Sequence, residues 1–546
     1  MTRQVLQILY VFILIFLLVQ CAQIVPLSGG KRDVVPPKLL EAIPARNSVN
    51  FNEEVIILKF DEFMQVKDLT NQLIVTPRVK TAPEISANGR KILVKFNREE
   101  LVPNTTYRIY FGKAIADMNE SNSVPDFEYV FSTGTYIDTV KVKGDITEAF
   151  DNKPSTDIII GLYFNERAND SLPYQTEPDY ITRSNETGGF LLKNLPYKTF
   201  SVYAFSDKNK NLLYDGESEK IAFLSSELKL ISDTTIHLKL FQEEASKSFI
   251  KKTVNPYYGF TQIILNKKAK VKLSTLKLTD QSNISESRVD QPKDTVSFYY
   301  KNINDTLGLV LQNLTIGKID TLRLTVPRNN LSKKRLKSFT VNTIGNKLAL
   351  YDKLRLTFLN WMDTSKSDLS KIRFSSKEDS MISQVPVKGH WESITSFAIE
   401  HKLKEGVNYT LKIDTNAFFD LKQFTNDSSR INFITQSKIE FGKLTLKLLF
   451  NEKQNYIVQL INEQDKVVKE QFVTLSLSSS NAATLEFVDV LPGTYYAKII
   501  FDDNKNKKWD SGRVLMKLQA EKVIINSKQL KILSDWEIEE EILIKE

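Results

Sequence analysis

The chain repeats itself, and what it repeats is strand-like. Leu101-Val102-Pro103-Asn104-Thr105-Thr106-Tyr107-Arg108-Ile109 is followed by Ala114-Ile115-Ala116-Asp117 and then Phe131-Ser132-Thr133. Far downstream, Leu403-Lys404-Glu405-Gly406-Val407-Asn408-Tyr409-Thr410-Leu411 is followed by Ala417-Phe418-Phe419-Asp420 and Phe433-Ile434-Thr435. Each copy reads as a turn, a strand that begins with Tyr, an Asp-capped turn and a closing strand. A second repeat follows each of these blocks. Phe190-Leu191-Leu192-Lys193-Asn194-Leu195-Pro196 leads into Phe200-Ser201-Val202-Tyr203-Ala204-Phe205, and Leu485-Glu486-Phe487-Val488-Asp489-Val490-Leu491-Pro492 leads into Tyr495-Tyr496-Ala497-Lys498-Ile499-Ile500-Phe501. A pair of units repeated in the same order confines the chain to a modular fold.

The modules read as all-β. Val55-Ile56-Ile57-Leu58-Lys59-Phe60, Ile92-Leu93-Val94-Lys95-Phe96 and Phe127-Glu128-Tyr129-Val130-Phe131 are rich in β-branched and aromatic residues, and turn residues such as Asn88-Gly89 and Pro103-Asn104 separate them. Short strands at short spacing with frequent turns indicate sandwiches. No long amphipathic helix is evident; single helical turns are expected near Val66–Gln72 and Ser367–Lys371. At ~100–150 residues per domain, 546 residues hold about four or five cores. Cys21 is the only cysteine, so each core must stand without disulfides.

That cysteine ends a distinctive N-terminus. Arg3 precedes a nearly unbroken apolar run from Val5 to Val19, then Gln20-Cys21-Ala22. A basic start and a short apolar run make a secretory signal, and the run is short for a full membrane span of about 20 residues. With cysteine at the cut, the segment resembles a bacterial lipoprotein signal, although Gln20 stands where that pattern has a small residue. The resemblance implies cleavage before Cys21 and acylation there. Residues 22–44, with Pro26, Gly29-Gly30 and Pro36-Pro37, read as a tether.

The first block resembles the SbsA-type bacterial Ig-like domain of cell-surface and S-layer proteins, most closely over 21–135 and less so over 341–436. The tether resembles that of outer-membrane lipoproteins carrying this domain. The strand, Leu-Pro turn, strand unit is similar to the transthyretin-like or carboxypeptidase-regulatory-like β-sandwich, which implies a spacer or binding module without catalysis. The expected layout is a signal peptide over 1–20, a lipid-anchored tether over 21–44, an Ig-like domain over 45–135, a transthyretin-like sandwich over 136–245, an unassigned β domain over 246–340, a second Ig-like domain over 341–436 and a second transthyretin-like sandwich over 437–546. The expected fold class is all-β, tandem sandwiches in an elongated array.

One constellation with chemistry occurs twice. Asp207, Asn209, Asn211 and Asp215 stand at relative positions 1, 3, 5 and 9, and Asp502, Asn504, Asn506 and Asp510 repeat the spacing. Alternate oxygens in a tight loop, with the carbonyl of Leu213 or Lys508, suit a hard cation such as Ca2+. A calcium loop of the EF-hand kind has Gly at position 6 and Glu at position 12; here those places hold Leu212 and Ser218, or Lys507 and Arg513. A ligand borrowed from Glu217 or Glu219 would complete the first copy, while Lys505, Lys507 and Lys508 crowd the second. The alternative is an Asn-rich turn whose side chains bond their own backbone.

Other chemistries find little support. His237, His390 and His401 are the only histidines and make no zinc-type spacing. No Gly-x-Ser-x-Gly elbow occurs. The net charge of +8 is small for this length and reads as solvated sheet faces, without a nucleic-acid partner. Tyr257-Tyr258 and Tyr299-Tyr300 each place neighbours on opposite sheet faces; core or edge packing is the expected role, and an exposed ring offered to a sugar is the alternative. The function expected is therefore non-enzymatic. The chain reads as a lipid-anchored outer-membrane protein, on the periplasmic side in preference to the surface, with a structural or interaction role. Its expected partners are the membrane, through the N-terminal lipid, and an envelope protein or glycan. A glycan-binding protein, and after it an envelope hydrolase with a carboxylate site, are the alternatives.

Overall fold

The computed structural model describes residues 33–165, 171–245, 247–257, 260–275, 284–288, 293–300, 306–314, 317–325, 339–349, 351–359, 361–378, 381–421, 423–451, 454–475 and 481–544. Cys21, the segment read as a signal peptide and the first part of the tether lie outside the described residues. The chain forms two compact units. The first takes the residues up to Ile146 with Thr156–Leu213 and Ser226–Leu238, and the second takes Thr147–Ser155, Tyr214–Ser225 and Lys239–Glu546. The boundary thus runs through the sandwich expected over 136–245.

In the first unit, alternation sets the Ig-like core. Val55–Phe60 buries Ile56, Leu58 and Phe60 completely, and Lys91–Lys95 buries Ile92 and Val94, as a period of two demands. These strands pair with Leu39–Ile43 and Glu84–Asn88 in one sheet, faced by a second sheet of Ile74–Thr76, Thr106–Tyr110 and Glu128–Ser132. Tyr107, Ile109, Tyr129 and Phe131 meet the first sheet's residues in one core. Leu39–Ile43 lies in the segment read as tether, yet it is a paired strand whose register runs Ile43 to Ile57. The tether therefore ends earlier than its proline-rich composition suggests. The helical turn expected near Val66–Gln72 is Leu69–Gln72.

The tyrosine at the strand start does what its position suggests. The Tyr107 hydroxyl accepts the Val102 N–H at 2.8 Å, and Thr133 donates to the Val102 carbonyl at 2.7 Å while accepting the Thr105 N–H at 3.0 Å. In the second unit Tyr409 accepts the Lys404 N–H at 2.9 Å, and Thr435 bonds the Lys404 carbonyl and accepts the Val407 N–H at 3.1 Å. Phe131 stacks on Tyr107 at 5.4 Å and Phe433 on Tyr409 at 5.5 Å. Each turn is thus held by the ring and hydroxyl together, a corner device of Greek-key sandwiches. Asp117 closes the next turn by accepting from the Glu120, Ser121 and Asn122 N–H groups at 2.6–3.0 Å. Its equivalent Asp420 accepts from Phe424 at 2.8 Å.

The other repeated module keeps one topology in both copies. In the first unit Val140–Glu148 pairs with Gly189–Leu195, and Ile159–Phe164 pairs with both Tyr180–Arg183 and Thr199–Phe205. In the second unit Gly442–Phe450 pairs with Ala482–Val490, and Asn455–Asn462 pairs with both Val467–Thr474 and Gly493–Phe501. After the Leu-Pro turn, Thr199 lies opposite Lys229 and Thr494 opposite Lys531. The second copy buries Leu444, Leu446 and Leu448 against Val458, Leu460, Ala497 and Ile499. Its last strand, Glu537–Ile544, runs parallel to Gly442–Phe450, the place that Thr234–Gln242 takes beside Val140–Glu148 in the first copy.

Also in the second unit, the stretch without an assignable motif is a small sandwich. Ile250–Tyr257, Phe260–Ala269, Lys293–Tyr300 and Ile284–Arg288 form one sheet, and Val271–Thr275, Thr306–Asn313 and Ile319–Thr325 the other. Ile263, Leu265, Val296, Phe298, Leu309 and Leu311 lie between them. The second Ig-like block follows, with Leu356, Phe374, Phe397, Tyr409, Leu411 and Phe418 in its core and a single helical turn at Leu369–Lys371. The regular structure of the described residues is nearly all strand: tandem Ig-like and related β-sandwich modules, as the sequence indicates.

Candidate functional site

The two Asp/Asn loops share one backbone. In the first, the Asp207 carboxylate accepts the N–H groups of Asn211 at 3.0 Å and Leu212 at 3.1 Å, and Asn211 Oδ1 accepts from Leu213 at 2.8 Å. In the second, Asp502 accepts from Asn506 and Lys507, each at 3.0 Å, and Asn506 Oδ1 accepts from Lys508 at 2.9 Å. Positions 4 and 6 are left-handed in both: φ is 62° at Lys210, 57° at Leu212 and 63° at Lys505 and Lys507. Side chains strain there, by about 1–2 kcal/mol per residue. The carboxylate at position 1 holds this path without the glycine that a calcium loop places at position 6.

Position 9 is tied down by a glutamate in each copy. The Asp215 N–H donates to Glu219 Oε2 at 3.0 Å, and the Asp510 N–H to Glu521 Oε2 at 3.0 Å. Glu219 is 1% exposed and Glu521 7%. Glu521 also accepts the Asp503 N–H at 3.0 Å, and its carbonyl accepts Trp509 Nε1 at 2.9 Å. Burial, with Asp510 and Asp502 nearby, pushes the Glu521 carboxyl above its usual range against the pull of those two N–H donors. Glu219 was foreseen as a neighbour of the first loop. Glu521, eleven residues beyond Asp510, carries no such signal in the sequence.

The second loop brings its expected residues together, but around a lysine. Asp510 Oδ2 accepts the side-chain amides of Asn504, at 2.6 Å, and Asn506, while Lys508 Nζ lies 2.7 Å from Oδ1. Burial works to raise the Asp510 carboxyl, yet Lys508 and the two amides hold it below its usual range. The Asp510 carboxylate is thus engaged by an ammonium and two amide N–H groups. In the first copy Asp207, Asn209 and Asn211 belong to one unit and Asp215 to the other. Among the described residues, no three His, Cys, Asp or Glu side chains are grouped to hold a metal.

The second loop is also part of a joint inside the second unit. Trp509 meets the Phe150 ring edge-on at 5.1 Å, and Lys498 Nζ sits 3.1 Å from the centre of that ring. Lys498 is 4% exposed, and burial pulls its ammonium down to about 8 despite Asp151 and Asp465. Asn152 donates to the Val523 carbonyl at 3.1 Å, a contact spanning 371 residues of chain. Lys153 pairs with Asp465 at 2.5 Å. Gln519 donates to the Phe223 carbonyl at 2.9 Å and the Val514 N–H to Glu243 at 2.9 Å. Gly512 fits because a Cβ there would come within 2.5 Å of the Phe241 ring. Residues 147–155, 214–225 and 239–244 are thereby fastened to the last sandwich.

The remaining candidates are scattered. His237 pairs with Asp145 at 2.5 Å, His390 with Glu400 at 2.6 Å, and His401 packs against the Phe374 ring. Tyr258 and the side chains of Tyr257, Tyr299 and Tyr300 lie outside the described residues.

Comparison with known proteins adds one firm point. The bacterial Ig-like domain family (Big_5) matches residues 33–133, the block whose Tyr corner is described above. None of the curated proteins compared matches the chain. Solved structures with some likeness include BcpA, the major pilin subunit of Bacillus cereus. It has 9% identity and a TM-score of 0.14, over 74% of this chain and 99% of that one. Domains 1–6 of the surface layer protein SbsC have 12% identity and a TM-score of 0.14, over 91% and 67%. Eight N-terminal Ig domains of the Down syndrome cell adhesion molecule have 7% identity and a TM-score of 0.14, over 91% and 60%.

Proposed function

We propose that this is a non-enzymatic, lipid-anchored protein of the cell envelope with a structural or protein-interaction role. The observation that carries the structural part is the joint. A chain that fills a separate core in each sandwich, then uses the buried Lys498 and the partly exposed Phe150, Trp509 and Gln519 to fasten residues 147–155 and 214–225 to the last sandwich, has its groups arranged for fixed geometry. The spread of its three histidines, each beside a different carboxylate or ring, supports a role without catalysis. The anchor rests on the signal-like run ending at Cys21. No helix among the described residues is long and apolar enough to cross a membrane. Lipid at Cys21 supplies attachment in the outer membrane, and the lack of an acidic cluster after Cys21 favours its periplasmic side.

Labelling with a clickable fatty acid tests the anchor. The parent is expected to take up label and sediment with membranes, and Cys21→Ser to lose both. A Cys21→Ser protein that still sediments, from an unlabelled parent, would contradict it.

Calcium in the first loop is part of the same reading. Its support is the 1, 3, 5 spacing of Asp207, Asn209 and Asn211, whose side-chain oxygens gather on one turn. Calcium is expected to raise the melting temperature of the parent and not of Asp207→Asn. Equal melts of the parent with calcium and with chelator would remove it.

A further inference from the structure

Inside the first unit a cleft of about 1060 Å³ separates the outer face of the Ig-like sheet from the strands that follow it. That volume is at the upper end of ordinary ligand sites. Tyr107 and Ile109 point into the Ig-like core, so Arg108 and Tyr110, on the same strand, face the cleft. Arg108 is nonetheless only 8% exposed, because the opposite wall covers it.

The charges on those walls are unevenly matched. Glu128 accepts Arg108 Nε at 2.7 Å and Lys193 Nζ at 3.0 Å, so one carboxylate serves two cations. Although burial works against it, those cations hold the Glu128 carboxyl below its usual range, and it is ionised at neutral pH. Asp157 pairs with Arg183 at 2.8 Å, while Asp145 meets the His237 ring at 2.5 Å and keeps its negative charge wherever that ring is neutral. Asp126 accepts the Tyr110 hydroxyl at 2.6 Å. Lys143 is exposed, lines the cleft and has no ion pair among the described residues. Lys210 stands at the lining with only the neutral Asn71 amide as its partner. The five cations of the lining, Arg108, Lys143, Arg183, Lys193 and Lys210, thus outnumber its four carboxylates by one, and Lys143 and Lys210 carry their charge outside any ion pair among the described residues.

The rest of the lining narrows the ligand. Its apolar part is Ile74, Phe190 and Leu191, while Gln72, Thr182, Ser184 and Thr235 supply neutral hydrogen-bonding groups. Such walls suit a hydroxyl-rich chain better than a lipid tail. We propose that this cleft binds an acidic oligosaccharide, its carboxylates on Lys143, Lys210 and the Arg108–Lys193 floor, its hydroxyls on the amide and hydroxyl groups. The site is made of folded residues of one unit, so it stands whether or not Cys21 carries lipid.

Titration calorimetry on the full chain in detergent tests this, with hexagalacturonate as probe and maltohexaose and hexaglutamate as comparisons. Saturable binding of hexagalacturonate is expected, weakened by added salt and reduced at least about tenfold in Lys143→Glu. Lys210→Gln, which lies in the first Asp/Asn loop, should weaken binding to a smaller degree. Both residues are exposed, so unchanged melting curves will show that the variants fold. Affinity unaltered by Lys143→Glu would overturn the site, and no saturable binding would overturn the proposal altogether. Equal binding of maltohexaose would refute the charge argument, and tighter binding of hexaglutamate would reassign the cleft to acidic peptides.

Discussion

The two Asp/Asn loops have the same backbone and different company. Both pin positions 5 and 6 with the first carboxylate, both run through left-handed residues without glycine, and both fasten position 9 to a buried glutamate. Beyond that they part. Counting back from the first Asp, Tyr203 of one copy corresponds to Lys498 of the other. Tyr203 meets Tyr163 edge-on at 5.6 Å, which keeps the aromatic pair within its own sheet. Lys498 and Trp509 instead reach Phe150, a residue of the same unit from far earlier in the chain. A duplicated loop can therefore keep its path while its side chains are redirected to joining modules.

The largest expected effect tests what the loops share. Glu521→Ala leaves the Asp503 and Asp510 N–H groups without their acceptor in a part-buried setting. This should cost about 2–4 kcal/mol in denaturant unfolding. Glu219→Ala should be comparably costly. A mild effect in one copy only would break the equivalence.

The next effect separates them. The Lys498 ammonium titrates near 8 in the fold and near 10.4 when unfolded. Between those values the unfolded chain binds more protons, so stability rises with pH; below about 8 the full penalty of burying the charge is present. Parent stability should gain roughly 1–3 kcal/mol from pH 8 to 10 relative to Lys498→Met. Parallel pH curves for the two proteins would show that Lys498 is not buried at the joint.

Phe150→Ala should cost about 1–2 kcal/mol, since the ring gives up a cation–π partner and an aromatic one while remaining partly exposed. It should also speed proteolytic cutting near residues 147–155. The smallest effect has the opposite sign. Leu212→Gly and Lys507→Gly relieve left-handed strain but loosen the unfolded chain, so each should stabilise by at most about 1 kcal/mol. A loss of stability in either would mean that the side chain at position 6 has a contact outweighing its strain.

Much of this was legible because local physics wrote it into neighbouring residues. Tyr107 and Tyr409 announce strand starts, and their hydroxyls cap turns only five residues back. The spacing of Asp502, Asn504, Asn506 and Asp510 announced a convergent loop, and the loop converges. What it converges on was not legible: Lys508 appears in the sequence as crowding, and in the fold it is the partner of Asp510. Leu39–Ile43 was hidden by the prolines before it, since pairing with Val55–Phe60 decides its state. The joint left no trace either, because contacts such as Asn152 to Val523 link residues that no local pattern relates. The cleft in the first unit was equally silent: Arg108 and Lys193 meet at Glu128 in the fold, and no local pattern relates them.

The joint is the feature on which the structural reading leans most, and zero-length carbodiimide coupling tests it directly. The Lys153 ammonium lies 2.5 Å from Asp465 and Lys508 lies 3.7 Å from Glu244, within reach of an amide bond. Mass spectrometry of the coupled full chain should find peptides joined through both pairs, and Phe150→Ala should deplete them. Absence of both, in a sample where Lys404 couples to Glu378 2.9 Å away, would contradict the account.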